Sequence, residues 1–279
     1  MHTPFIFFGT PDTASRTLEL LKQSGYLPAY IVTNPDKPVG RKQVMTNSPV
    51  KDWAIENSIP YITPEKITPE VVEQLKTLAK ELSVKVFLVV AYGKILPQTL
   101  IDIPSNGTYN IHYSLLPKYR GATPAESAIL HGDRETGVTL QKMVFKLDAG
   151  PIVTTRTLPL HGDETTLSLR DTLIPLGAET VIELFTTLEQ NLSVITTDQD
   201  ETQSSHCGKI SKDDGLINPY TDEPLTLWRK YRAYSPWPML YFFDTLGNRI
   251  KITHAVYENN NFKIKRVIYA GKPESEWFG

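Results

Sequence analysis

Apolar residues in the first half of this chain come in short unbroken runs, with helical stretches between them. Phe5-Ile6-Phe7-Phe8 stops at Gly9, and Val86-Phe87-Leu88-Val89-Val90-Ala91 is the most strand-like run in the chain. A run without polar alternation suits a strand buried on both faces. Ala29 to Thr33 and Thr108 to Ile111 read as two further strands. Leu18 and Leu21 mark the apolar side of a helix that Asp12 or Thr13 can cap and Gly25 stops. Helices are expected over roughly 70–82 and from Pro124 to Leu130, then a strand pair at 137–145 and 151–158. Strand, crossover and strand in this order predict a mostly parallel sheet with helices on both faces. In such sheets ligands bind beyond the C-terminal strand ends, where the strand order switches.

A long helix is expected around 165–189. Residues 190–205, which follow it, are polar and lack helical periodicity, so they predict an interdomain linker. Beyond lie a helix at 224–233, the turn Ser235-Pro236-Trp237-Pro238 (Trp237 expected to pack), and strands near 239–244, 249–257 and 262–269. A small, strand-rich segment of this kind predicts a compact or partial β-barrel, of which an OB-like fold is one type. The expected domains are therefore 1–189 and 206–279, joined by 190–205.

Composition changes the picture mainly by exclusion. A chain of 279 residues can bury a sizeable core. No apolar run approaches the roughly 20 residues of a membrane span, and the N-terminal segment is expected to be a first strand, not a signal peptide. The lone Cys207 excludes an internal disulfide framework and points to a reducing, cytoplasmic compartment. Net charge is −2, divided into −5 for residues 1–205 (18 basic, 23 acidic) and +3 for 206–279 (11 basic, 8 acidic). A mildly basic tail permits a polyanionic partner without demanding one. The sheet type is Rossmann-like, yet Gly9-Thr10-Pro11-Asp12-Thr13-Ala14 does not match G-x-G-x-x-G and no G-x-x-x-x-G-K-[ST] occurs. A nicotinamide or ATP site is disfavoured. With no H-E-x-x-H, no paired Cys spacing and no G-x-S-x-G, zinc chemistry and serine hydrolysis are disfavoured too, and no metal is expected.

Three polar residues carry the candidate chemistry. Asn110 and His112 stand two apart on a predicted strand and so share a face. Asp148 follows in Leu147-Asp148-Ala149-Gly150. Asn offers an amide donor, His a group that changes charge near neutral pH, and Asp can hold that ring in one tautomer. Groups of these kinds manage charge during transfer of a carbonyl-type carbon. From the residues alone the duller readings stay open: Asn110 as a strand terminator, His112 as a structural histidine, Asp148 as the cap of a turn.

The surrounding pattern resembles the methionyl-tRNA formyltransferases over nearly the whole chain. The matching pieces are Phe8-Gly9-Thr10-Pro11-Asp12, Pro35-Asp36-Lys37-Pro38-Val39-Gly40-Arg41, Ser48-Pro49-Val50-Lys51, Ala91-Tyr92-Gly93-Lys94-Ile95-Leu96-Pro97, Asn110-Ile111-His112-Tyr113-Ser114-Leu115-Leu116-Pro117, Arg120-Gly121-Ala122-Thr123-Pro124 and Leu147-Asp148-Ala149-Gly150. Lys209-Ile210-Ser211-Lys212-Asp213-Asp214-Gly215 and Pro236-Trp237-Pro238-Met239 resemble the family's C-terminal domain, which is usually longer, so a shortened barrel is expected.

The resemblance implies transfer of a formyl group from 10-formyltetrahydrofolate to the α-amine of methionyl initiator tRNA, by a monomer. It implies that Asn110 and His112 stabilise the oxyanion, and that Asp148 orients His112 and relays the proton lost by the amine. It implies that Tyr92, Gly93, Lys94, Ile95 and Leu96, with Ser114, Leu115, Leu116 and Pro117, hold the reduced folate, largely through backbone groups. Lys37, Arg41 and Lys42 fall in the stretch implied to touch tRNA, although Lys42-Gln43-Val44 departs from a pattern often richer in Lys and Gly. A sugar-nucleotide amine N-formyltransferase, with the same folate donor and the same three residues, is the alternative. A non-catalytic RNA-binding protein on the same scaffold is a third reading. Arg41 and the Lys209 to Asp214 segment speak against the second, the intact triad against the third.

Overall fold

The computed structural model describes residues 3–40 and 42–278. Seven strands build one sheet: β1 (Phe5–Gly9), β2 (Tyr30–Val32), β3 (Tyr61–Ile62), β4 (Val86–Val90), β5 (Thr108–His112), β6 (Glu135–Lys142) and β7 (Ile152–Pro159), in the order β7-β6-β5-β4-β1-β2-β3. β1 pairs in parallel with β2 and β4, β2 with β3, and β4 with β5, whereas β6 runs antiparallel to β5. The chain builds outward from β1 to β3, then returns to the other side of β1 with β4, so the strand order reverses there. Every residue of β1 and β4 is buried, which is why both read as unbroken apolar runs. Ile6, Phe8, Phe87, Val89 and Tyr92 meet in one core cluster, with the Phe8 and Phe87 rings 5.2 Å apart.

Helices Asp12–Gln23, Pro69–Glu81, Pro124–His131 and Thr166–Glu189 lie where the pattern places them. The cap of the first differs. Pro11 takes the N-cap position with no side-chain capping bond, and Asp12 is already helical. Helix Pro49–Glu56 is an element beyond those expected, with Val50, Trp53 and Ala54 buried at helical spacing; Ser48 caps it by accepting the Lys51 N–H at 3.1 Å. Lys37–Val39 and Val44–Thr46 pair as a short hairpin, Lys37 opposite Thr46.

The residues cluster into two compact units. One comprises Met1–Arg120, Gly137–Thr157 and Thr172–Ser205; the other comprises Gly121–Thr136, Leu158–Asp171 and His206–Gly279. Residues 190–205 belong to the first unit and are bonded into it: Ile152 and Thr197 exchange both backbone hydrogen bonds at 2.8 Å. In the second unit, Tyr241–Phe243, Arg249–Glu258, Asn261–Tyr269 and Glu274–Glu276 form an antiparallel four-stranded sheet in sequence order. Glu274-Ser275-Glu276 carries no apolar alternation, so the pattern missed that strand. Helix Pro224–Ala233 belongs to the same unit, its Trp228 ring stacked 6.2 Å from that of Tyr257. Trp237 is 53% exposed and does not fill a core.

Candidate active site

β5 sets Asn110 and His112 on one face, and the β6 register puts Gln141 opposite Asn110 and Thr139 opposite His112. Directly opposed residues of an antiparallel pair share a face, so four polar side chains line one patch. His112, Thr139 and Gln141 are buried, and buried polar groups persist where they find partners. Thr139 Oγ1 donates to the Ser114 carbonyl at 2.7 Å and accepts the Leu116 N–H at 3.1 Å.

Asp148 reaches this patch from the turn after β6. Its backbone is left-handed, φ +48°, a conformation that Asp and Asn tolerate better than most residues. Two residues on, a Cβ at Gly150 would stand 1.8 Å from the Lys142 carbonyl oxygen, so only glycine lets the two backbones pass this closely. Asp148 Oδ2 lies 3.6 Å from His112 Nδ1, and Oδ1 accepts the Gln141 Nε2–H at 2.9 Å.

The other imidazole nitrogen, Nε2, stands 2.9 Å from the Tyr119 carbonyl oxygen. A carbonyl only accepts, so the neutral ring keeps its proton on Nε2 and turns the Nδ1 lone pair toward Asp148. Burial pushes the His112 pKa below the ordinary imidazole value, against the opposing pull of the Asp148 charge and the Tyr119 bond. The two side chains are 5% and 12% exposed, Asp148 the more accessible. An imidazole acceptor and a carboxylate aimed at each other form a receptor for one proton.

The loops after β4 and β5 leave neighbouring parallel strands, Val89 opposite Asn110, at the same end of the sheet. Tyr92 is buried; its carbonyl accepts from Asn34 Nδ2 at 3.0 Å and from the Thr10 hydroxyl at 3.3 Å. Its own hydroxyl is buried without a hydrogen-bond partner among the described residues, and burial drives that phenol's pKa up. Gly93 turns at φ +79° with open space where a Cβ would stand, and Ile95 is 78% exposed. Lys94 hydrogen-bonds the Pro64 carbonyl, and burial lowers its pKa. Leu96, Ser114 and Leu116 are buried, while Leu115 and Pro117 are half-buried. The exposed Ile95 beside the Gly93 turn leaves apolar surface uncovered at this end of the sheet.

Lys37 and Lys42 are exposed on the hairpin; Arg41 lies outside the described residues. Lys51 Nζ meets Asp36 at 2.7 Å and ties the hairpin's base to helix Pro49–Glu56. Among the described residues no group of three His, Cys, Asp or Glu side chains is placed to hold a metal ion, and no helix is long and apolar enough to cross a membrane. Sequence reasoning missed Tyr119, Gln141 and Gln199, whose side chain bonds the Asp148 turn. Gln141 lies in a strand, Glu135–Lys142, that also carries Glu, Lys and two Thr, so it gave no distinct signal, and neither did the other two.

The chain matches the family model "Formyl transferase" over residues 1–184 and "Formyl transferase, C-terminal domain" over residues 209–274. It is 42% identical over 241 residues to the methionyl-tRNA formyltransferase of Geobacter sulfurreducens, covering 85% of this chain and 74% of that protein. It is 43% identical over 235 residues to the methionyl-tRNA formyltransferase of Methylococcus capsulatus, covering 84% and 74%. Among solved structures, HypX from Aquifex aeolicus in complex with tetrahydrofolic acid superposes with a TM-score of 0.67 at 16% identity, covering 98% of this chain and 45% of that one. An N-formyltransferase from Helicobacter canadensis in complex with folinic acid and dTDP-3-aminofucose gives a TM-score of 0.65 at 18% identity, covering 95% and 98%. At these identities the structural likeness speaks for the fold.

Proposed function

This chain belongs to the formyl transferase family, and we propose how its residues carry out the reaction it catalyses, transfer of the formyl group of 10-formyltetrahydrofolate to the α-amine of methionyl initiator tRNA. The observation that carries the proposal is the buried contact of His112 Nδ1 with Asp148 Oδ2, on the face that Asn110 shares. The reduced folate supplies the formyl group. As the tRNA amine attacks the formyl carbon, negative charge gathers on the formyl oxygen and the amine must shed a proton. Asn110 donates its amide N–H to that oxygen. One such donor typically contributes about 10²–10³ in turnover.

The proton goes to the His112–Asp148 pair. With Nε2 committed to Tyr119, the ring is not free to donate to the oxygen while that bond holds. The expectation that Asn110 and His112 both serve the oxyanion is therefore refined. Asn110 supplies the hydrogen bond, and His112, once protonated beside Asp148, supplies a positive charge. The same proton is then available to the nitrogen of the departing folate.

In this proposal Tyr92, Gly93, Lys94, Ile95, Leu96, Ser114, Leu115, Leu116 and Pro117 hold the folate. Their support is the shared sheet end of the two loops and the exposed Ile95 beside Gly93. Lys37, Arg41 and Lys42 take the tRNA phosphates near the acceptor end, which positions the substrate without reading its sequence. Catalysis is assigned to 1–189 and additional tRNA contact to 206–279, joined through 190–205. Two family models with a break at 185–208 support that division. The acting species is taken to be a cytoplasmic monomer; the presence of a single cysteine, Cys207, accords with a reducing compartment.

Formyl transfer to charged initiator tRNA, measured beside transfer to a 4-amino-sugar nucleotide, tests the reading. Turnover with the tRNA and none with the sugar is expected. The reverse would replace the proposed substrate.

A further inference from the structure

We infer that residues 199–205 are a positioning strap that sets the His112–Asp148 pair from behind, with Gln199 as its key. The inference rests on the catalytic reading above. The strap reaches the two members by separate routes. Toward Asp148, Gln199 Nε2 donates to the Asp148 carbonyl at 2.9 Å and to the Gly150 carbonyl at 2.7 Å. One of those carbonyls belongs to the left-handed residue that carries the carboxylate and the other to the glycine two residues on, so pinning them restrains where Oδ2 points. Toward His112, the strap holds Tyr119, whose carbonyl takes the imidazole Nε2–H. Ser205 Oγ accepts the Tyr119 N–H at 2.9 Å, and the Ser205 carbonyl accepts the Arg120 N–H at 2.8 Å.

Gln199 is itself fixed. Its Oε1 accepts from Arg120 Nε at 3.0 Å and Nη2 at 2.7 Å. That contact orients the amide, because a flipped group would set N–H against guanidinium and oxygen against the two carbonyls. The Arg120 side chain is fully buried, and Glu201 meets its charge in a fork at 2.9 Å and 3.1 Å. A planar guanidinium held by two parallel bonds has little freedom. Restraint therefore passes from Glu201 through Arg120 and Gln199 to Asp148.

The 3.6 Å gap between Oδ2 and Nδ1 is longer than a hydrogen bond. A turn free to relax would close or widen it, and displacement by about 1 Å from a distant change can slow a reaction about 100-fold. Neither Gln199 nor Ser205 lies among the groups assigned to the reacting atoms, so their signature belongs in kcat and not in KM.

The test uses the full chain and formyl transfer to methionyl initiator tRNA. Gln199→Glu keeps the Oε1 acceptor that Arg120 Nε and Nη2 share and removes the Nε2 donor that serves both the Asp148 and Gly150 carbonyls. Ser205→Ala removes only the Oγ that holds Tyr119. Gln199→Glu is expected to lower kcat about 10- to 100-fold with KM for tRNA and folate unchanged, and to melt below wild type because a carboxylate oxygen then faces two carbonyl oxygens; Ser205→Ala is expected to lower kcat less. A wild-type kcat in both variants, or a loss confined to KM, overturns the strap. If Gln199→Glu fails to fold, a wild-type kcat in Ser205→Ala overturns it alone. His112→Ala and Asp148→Ala run alongside: inactive, they leave the catalytic reading standing whatever Gln199→Glu does; fully active, they remove that reading and the strap's purpose together.

Discussion

Asp148→Asn isolates the proton receptor more cleanly than truncation to alanine does. Position 148 sits at φ +48°, where Asn is at ease and Ala is strained. Gln141 Nε2 donates to Oδ1 at 2.9 Å, so the Asn carbonyl keeps that place and its Nδ2–H turns toward His112 Nδ1. A carboxylate facing a lone pair across 3.6 Å then becomes an amide donor facing an acceptor. The variant is expected to melt at or above the wild-type temperature. Its chemistry is expected to fail, because neither Asn nor an imidazole whose acceptor is engaged can take the amine's proton. Losing a positioned base typically costs about 10²–10⁴ in rate, or about 2.7–5.4 kcal/mol. The assay is single-turnover formyl transfer at saturating folate, with a thermal melt on the same sample. A rate within about tenfold of wild type would show that the proton leaves by another path. In the wild-type enzyme, burial of His112 places the acid limb of the pH–rate profile below the ordinary imidazole value of about 6.5.

Gly150→Ala drives a Cβ to 1.8 Å from the Lys142 carbonyl. The backbone must move, and a loss of about 1–3 kcal/mol on thermal melting is expected together with a slower transfer rate; an unchanged melt and rate would refute the steric reading. The Glu201 carboxyl is held down to about 2, first by Arg120 and then by Lys146. It therefore stabilises the fold above its ordinary value of 4.5 and loses that effect as the pH falls toward about 2. Glu201→Gln should melt below wild type at neutral pH, the difference closing in acid; a constant difference would exclude the ion pair as its cause. Arg41→Ala should raise KM for the tRNA with kcat held, and make the salt dependence of binding shallower by about one unit of slope. An unaltered salt slope would remove Arg41 from the phosphate contacts.

Much of this architecture was legible because burial leaves a pattern. Strands covered on both faces, such as Phe5–Gly9 and Val86–Val90, show as continuous apolar runs, and the two-residue spacing of Asn110 and His112 reports a shared face directly. Asp148 was found through its Leu-Asp-Ala-Gly setting, not through any periodicity. What stayed hidden acts through single hydrogen bonds to backbone. Tyr119 serves the site with a carbonyl, which every residue possesses. Gln199 serves with one amide in a segment whose polarity and lack of period read as a linker. Hydrophobic patterning marks what is buried by packing; it is blind to a polar segment fastened by hydrogen bonds, and residues 199–205 are such a segment. The cap at Pro11 was missed for a related reason: capping residues bond locally, and here no side chain makes the bond.

The two units alternate along the chain, which passes between them at residues 120/121, 136/137, 157/158, 171/172 and 205/206. No single scission can therefore release either as an independent piece. A protease that nicks after Ser205 would liberate a fragment holding every group of the His112 site, burdened with Gly121–Thr136 and Leu158–Asp171 stripped of the remainder of their own unit. Dissecting this enzyme by simple truncation is thereby foreclosed, and recombining its parts demands splices at several points together.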